Sequence, residues 1–220
     1  MKNSRPLRLL LSVTLAAVIL LGLYGLYYFN YIPHKKYSGE HFGISPYSSR
    51  NDQDHDGVDD QTDILHSVRD YIATRPKYKS RYYTTGYPND GYGVCTDVVA
   101  FGLRGAGYDL MELLYADVTE NPERYPTIDA PDKCIDFRRV RNLDVFFAHH
   151  ALSLTTDIRQ IDEWQGGDIV VFKGHIGIVS DKRNRKGIPF VIHHAGPYQL
   201  HYEEDILERR EDIIGHYRMG

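Results

Sequence analysis

Two cysteines among 220 residues are too few for a disulfide framework, so an apolar core has to hold the fold. A net charge of -4 provides no basic excess to recruit nucleic acid. Internal repeats and low-complexity tracts are also missing. The remaining composition, 42% hydrophobic and 25% charged, suits a short N-terminal appendage and one domain with an ordinary core.

Charge is absent from one further place, residues 9–29, where Ser12, Thr14 and two glycines alone interrupt an apolar run. About 20 such residues cross a bilayer core. Lys2, Arg5 and Arg8 precede the run, and Tyr24, Tyr27, Tyr28 and Tyr31 crowd its far end as an interfacial belt would. A cleaved signal peptide would have a shorter apolar stretch ending in small residues. The expectation is an uncleaved single-pass anchor in the cell membrane with the domain outside the cytoplasm. Residues 1–36 form the tip and anchor, 37–51 a tether, and 52–220 the domain.

The domain opens on an aspartate-rich loop, 52–63. Asp52, Asp54, Asp56, Asp60 and Asp63 occupy loop positions one, three, five, nine and twelve, with Gly57 at six. Calcium takes six to eight oxygens, and glycine permits the sharp turn that gathers them. Val58 would add its carbonyl oxygen. The expected cofactor is therefore a structural calcium ion. Asp59 replaces the usual apolar anchor and Asp63 the usual glutamate, and no incoming helix is visible, so the loop is closer to extracellular aspartate-rich repeats. The competing reading is a solvated acidic turn capping the next helix, expected over 63–74 from the shared face of Ile64, Leu65, Val68, Tyr71 and Ile72.

The chain is organised around Asp90-Gly91-Tyr92-Gly93-Val94-Cys95-Thr96-Asp97. A glycine-punctuated loop meets helical spacing at Val94, Val98, Val99 and Leu103, and Gly105 and Gly107 end it. Cys95 then lies at a helix N-terminus, where free N–H groups and the macrodipole favour a thiolate near neutral pH. A buried packing cysteine is the plain alternative, and pairing with Cys134 would remove the nucleophile. Tyrosines at 78, 82, 83, 87 and 92 could line a cleft before Cys95 or simply pack. Farther on, Arg138, Arg139 and Arg141 read as solvated charge, and His149 and His150 as a structural end to a core helix.

Three strand candidates follow: 169–172, 175–180 and 189–194, the last two joined by a basic turn over 181–187. His175 and His193-His194 sit among aliphatic residues. A thiol nucleophile needs an imidazole to take its proton and a polar group to orient that imidazole. Alternation leaves His193 and His194 equivalent as the orienting group.

Cys95 opening a helix, Gly167-Asp168-Ile169-Val170-Val171-Phe172, His175-Ile176-Gly177-Ile178-Val179 and Ile192-His193 resemble the NlpC-type cell-wall peptidases of the papain-like superfamily. Over about 56–219, the chain resembles a bacterial domain family of unknown function placed in that superfamily. The resemblance implies an α+β papain-like (NlpC-type) core with the cysteine helix packed on an antiparallel sheet. It assigns Cys95 as nucleophile, His175 as general base and His193 as its orienting partner. Thr96-Asp97 and Val94 depart from the residues common around the family cysteine.

The expected function is a membrane-anchored, extracytoplasmic cysteine peptidase or amidase acting on amide bonds of the bacterial envelope, with peptidoglycan peptides as partner. One alternative is a catalytically silent module that binds an anionic envelope polymer through Lys182-Arg183-Asn184-Arg185-Lys186. Another is a zinc site at Cys95, His175 and His193, which lacks a fourth ligand.

Overall fold

The computed structural model describes residues 5–219; Lys2, counted among the charges preceding the anchor, lies outside them. Helix α1 (Arg5–Tyr28) carries the apolar run. Its Arg8–Tyr28 portion is long and apolar enough to span a membrane, about 30 Å at the helical rise. That property suits an anchor and a signal sequence alike.

The segment expected as a tether is docked. Tyr37 exchanges two backbone hydrogen bonds of 2.9 Å with Arg183, and Ile44 is buried. The Ser49 amide donates to Asp59 Oδ1 at 2.8 Å. Upstream of it, His34 Nδ1 meets Asp205 Oδ2 at 3.0 Å and Lys36 pairs with Glu203. Residues 34–51 therefore satisfy backbone and charge against the domain, which a free linker would not do.

Helix α2 (Asp60–Ala73) begins three residues before its expected start because Asp59 caps it, accepting from the Thr62 amide and hydroxyl. Two short strands, β1 (Lys77–Tyr78) and β2 (Tyr92–Gly93), pair in parallel and deliver the chain to α3 (Cys95–Gly105). Helices α4 (Leu110–Glu120), α5 (Lys133–Asp136) and α6 (Val140–His150) follow. Asp109 and Asp132 cap the first two of these.

The sheet contains β3 (Leu152–Ser153), β4 (Ile169–Phe172), β5 (His175–Arg183), β6 (Pro189–Ile192), β7 (Glu203–Glu204) and β8 (Ile213–Arg218). Its order is β3-β8-β4-β5-β6-β7, antiparallel throughout. The result is an α+β protein whose β4-β5-β6 meander matches the sequence expectation.

Both faces of the central strands are covered, which explains the unbroken apolar runs. Ile169 and Val171 pack with Ile64, Val68, Val98 and Leu103 on the helical side. Their neighbours Val170 and Phe172 pack with Trp164, Val179 and Leu207 on the other. Asp168, fully buried, ties this sheet to α2 and β8. It accepts from Gln61 Nε2 at 2.8 Å and from Arg218 at 2.6 and 2.8 Å, and meets His216 Nε2 at 3.0 Å. With α2 held against α3 and α3 against β5, the cysteine helix points its first residue at the start of β5.

Candidate active site

Val94 adopts an extended backbone as the N-cap of α3, and Cys95 is the first helical residue. The Val94 amide donates to Asp97 Oδ2 at 2.8 Å, so the carboxylate at the third helical position satisfies the amide just before the cysteine. Asp97 is in turn gripped by Arg138, whose Nε and Nη2 donate to it at 2.8 and 2.7 Å. Both side chains are almost wholly buried, at 0% and 2% exposure. Arg138 also donates to the Arg81 carbonyl. It is therefore a buried clamp on the cysteine helix, contrary to its reading as solvated charge.

Cys95 is half-buried and unbridged; Cys134, also free, donates to the Thr84 carbonyl at 3.3 Å. Backbone N–H groups of Ile176, Thr96 and Cys95 itself lie toward the Cys95 sulfur. Ile176 follows His175 at the start of β5, so the thiol sits against the strand that carries the imidazole.

Across β5, His175 Nε2 and His193 Nδ1 lie 3.0 Å apart, with rings edge to face. Gly177 makes this approach possible. A Cβ there would lie 2.6 Å from Val191 Cγ1, 2.9 Å from the Ile192 carbonyl oxygen and 3.2 Å from His193 Cβ. The geometry selects between the adjacent histidines: His194 instead packs edge-on against Tyr78 and Tyr202. His193 Nε2 continues to Glu204 Oε2 at 3.3 Å.

Electrostatics correct the expectation of a resting thiolate. Burial pushes the Cys95 thiol up to about 11, and the neighbouring N–H groups only partly oppose it. Burial likewise lowers His175 to about 3, with repulsion from His193 next, and His193 to about 3, with Arg210 and Arg209 adding to it. The resting pair is a neutral thiol and a neutral imidazole. The helix terminus acts on the sulfur, but removal from water outweighs it.

The aspartate loop is assembled in part. Carboxylates of Asp52, Asp54 and Asp56 bring ligand atoms within 4.8 Å of one another. The Asp56 and Gly57 amides donate to Asp52 at 3.1 and 3.0 Å, and the Val58 amide to Asp56 at 2.8 Å. Gly57 has φ +93, a conformation that side-chain-bearing residues resist. Asp63 Oδ2 is buried without a partner. Its carboxyl is raised first by burial and then by Asp56 and Asp54, an arrangement that suits a bound cation. Asp60 does not join the group: it is buried, accepting from the Gln53 amide at 2.7 Å and the Tyr108 hydroxyl at 2.5 Å. The carboxylates that gather are Asp52, Asp54 and Asp56; Asp63 lies outside that trio but feels the charges of Asp56 and Asp54.

The basic turn is only partly committed within the fold, with Arg185 and Lys186 left exposed. Arg183 is buried and donates to the Ile161, Gly187 and Trp164 carbonyls. Asn184 donates to Asp205 and Glu208, and Lys186 meets Glu208 at 2.6 Å. A zinc site fares no better, because His175 and His193 direct nitrogens at each other rather than at a shared ion. His150 does stay structural, meeting Asp117 at 3.1 Å and stacking on Phe146.

Two contributors escaped the sequence reading, the Asp97–Arg138 clamp and Glu204. Asp97 three residues after an extended Val94 was a signal for a helix-capping carboxylate. Glu204 lies in a two-residue strand, too short to show a pattern.

The family described as a domain of unknown function, DUF1287, matches residues 65–219. The uncharacterized protein YijF of Escherichia coli (strain K12) is 36% identical over 167 residues, covering 70% of this chain and 80% of that protein. No solved structure matches the chain. A match over most of the chain, joined by a relative covered over most of its length, makes this protein a member of the DUF1287 family.

Proposed function

We propose that the domain is a papain-like cysteine hydrolase, held at the membrane by α1, that cleaves amide bonds in peptides of the bacterial cell envelope, peptidoglycan among them. The observation that carries this reading is the meeting of three elements: a helix-opening thiol, the strand beginning with His175, and the buried His175–His193 pair.

With both groups neutral at rest, proton transfer and attack belong to one step. His175 Nε2 is engaged with His193, which leaves Nδ1 to take the thiol proton as Cys95 Sγ attacks the carbonyl carbon. Amides of the first helical turn lack i−4 partners, and the Cys95 N–H helps hold the oxyanion. The His175 imidazolium then protonates the departing amine. Water, giving its proton to His175, attacks the thioester and returns the thiol with a free carboxylic acid.

Calcium at Asp52, Asp54 and Asp56 would be structural, fixing the entry to α2. Burial of Arg183 and the pairing of Lys186 with Glu208 weaken the polymer-binding alternative.

The test is mass spectrometry of peptidoglycan digests incubated with wild-type, Cys95→Ala and His175→Ala protein. New amine and carboxyl ends with wild type alone are expected. Their absence, or their appearance with Cys95→Ala, would overturn the reading.

A further inference from the structure

The line of close polar contacts at the site does not stop at the second histidine. His193 Nδ1 faces His175 at 3.0 Å and its Nε2 faces Glu204 Oε2 at 3.3 Å. The His193 amide donates to the Tyr202 carbonyl at 2.8 Å, and Val191 pairs with Glu204, so β6 and β7 fix this spacing.

One other group approaches His193 Nε2, the Gln199 amide nitrogen at 3.5 Å. Its two hydrogens are used on the His201 and His193 carbonyls at 2.8 and 3.2 Å. The Ala195 amide donating to Gln199 Oε1 at 2.6 Å fixes that orientation. Glu204 Oε2, 3.3 Å away, is the carboxylate nearest to His193 Nε2.

An uncharged imidazole carries one N–H, so each ring passes a choice to the next. We propose that Glu204 is a positioning residue that sets, through His193, which nitrogen of His175 is free to accept a proton. This rests on the hydrolase reading above. An ionised Glu204 can only accept, so His193 holds its proton on Nε2 and accepts the His175 Nε2–H at Nδ1. His175 Nδ1 is then bare and able to act as base. A protonated Glu204 can donate to His193 Nε2. The order reverses: the His193 Nε2 hydrogen passes to Glu204, the His175 Nε2 hydrogen passes to His193 Nδ1, and one proton is taken up from the active-site side at His175 Nδ1. The site would then be idle without any movement of its heavy atoms.

The carboxyl is placed for such a switch. Burial raises it to about 7, while Arg209, His201 and His34 favour its charge. It lines a cavity of about 470 Å³ between the end of the anchor, α2 and the edge of the sheet. Lys36 and Arg75 share that cavity, but Lys36 is committed to Glu203 on the same strand. His175 and His193, near 3, remain neutral while Glu204 titrates.

Long-range proton–nitrogen NMR on the full chain in detergent, labelled at histidine and assigned with His175→Gln and His193→Gln, reads the tautomers directly. In wild type at pH 8.5, His175 should carry its hydrogen on Nε2, and by pH 5.5 it should have moved to Nδ1. Glu204→Gln, nearly isosteric and checked for folding by Trp164 emission, should remove this pH step, as should Glu204→Ala. A wild-type tautomer that does not change, or a step that survives in Glu204→Gln, overturns the proposal. The hydrolase reading fails separately: a tautomer step without peptide cleavage sinks that reading alone, and cleavage without the step sinks the relay alone.

Discussion

Replacing Asp97 by Asn tests what holds the cysteine helix in place. The substitution keeps size and shape but removes the charge facing the Arg138 guanidinium, which is 2% exposed and donates to Asp97 at 2.8 and 2.7 Å. Breaking one side of such a buried pair costs about 3–5 kcal/mol, because the remaining charge is stranded away from water. The Val94 amide can keep an amide oxygen as acceptor, so the loss is assigned to the charge pair. Urea unfolding of the chain in mild detergent, followed by emission of the buried Trp164, measures it. Arg138→Met should cost a similar amount. The double variant should fall short of the summed losses by about 1–3 kcal/mol, the coupling of groups in direct contact. A loss below about 1 kcal/mol for Asp97→Asn, or additivity in the double variant, would refute the clamp.

Three further outcomes follow from the same interior. Calcium should raise the thermal midpoint, by about 2.7 kcal/mol of stabilisation at a hundredfold excess over Kd; no shift at millimolar calcium, or a shift surviving Asp54→Asn with Asp56→Asn, would leave only an acidic turn. Stability should fall on acidification from pH 6.5: His175, His193 and His194 are lowered to about 3, 3 and 4 from an ordinary 6.5, so the unfolded chain gains their protons first. Glu204, raised to about 7 from 4.5, opposes them, its contribution complete below 4.5 and lost as pH rises through 7. Three groups against one give a slope of up to roughly 3 kcal/mol per pH unit between 4.5 and 6.5, and a flat urea midpoint there would contradict the buried neutral histidines. Iodoacetamide labelling of Cys95 should climb with pH toward the raised thiol value near 11; a plateau at neutral pH would show a resting thiolate.

What could be read from the residues was what depends on local order. Glycines before an apolar periodicity placed Cys95 at a helix start, and unbroken aliphatic runs placed β4, β5 and β6. The errors lie where distant segments meet. Lys182 to Lys186 read as a polymer-binding stretch, yet Arg183 is buried on three carbonyls and Asn184 and Lys186 meet Asp205 and Glu208. Arg138 looked like surface charge because its partner lies 41 positions away. Asp60 fitted a ligand spacing, yet Tyr108 and Gln53 claim it. The thiol illustrates the same limit in energy: the dipole that favours a thiolate is visible in the sequence, and the desolvation that outweighs it is not.

A nucleophilic Cys95 forms a covalent acyl intermediate, which intact-protein mass spectrometry detects. Wild-type protein quenched in acid during incubation with a peptidoglycan stem peptide should gain the mass of the acyl fragment. Proteolysis should place that mass on the Cys95 peptide and not on the Cys134 peptide, and hydroxylamine should remove it as a thioester. Cys95→Ala should gain nothing. Absence of the adduct in wild type under conditions of turnover, or product release by Cys95→Ala at the wild-type rate, would contradict the nucleophile.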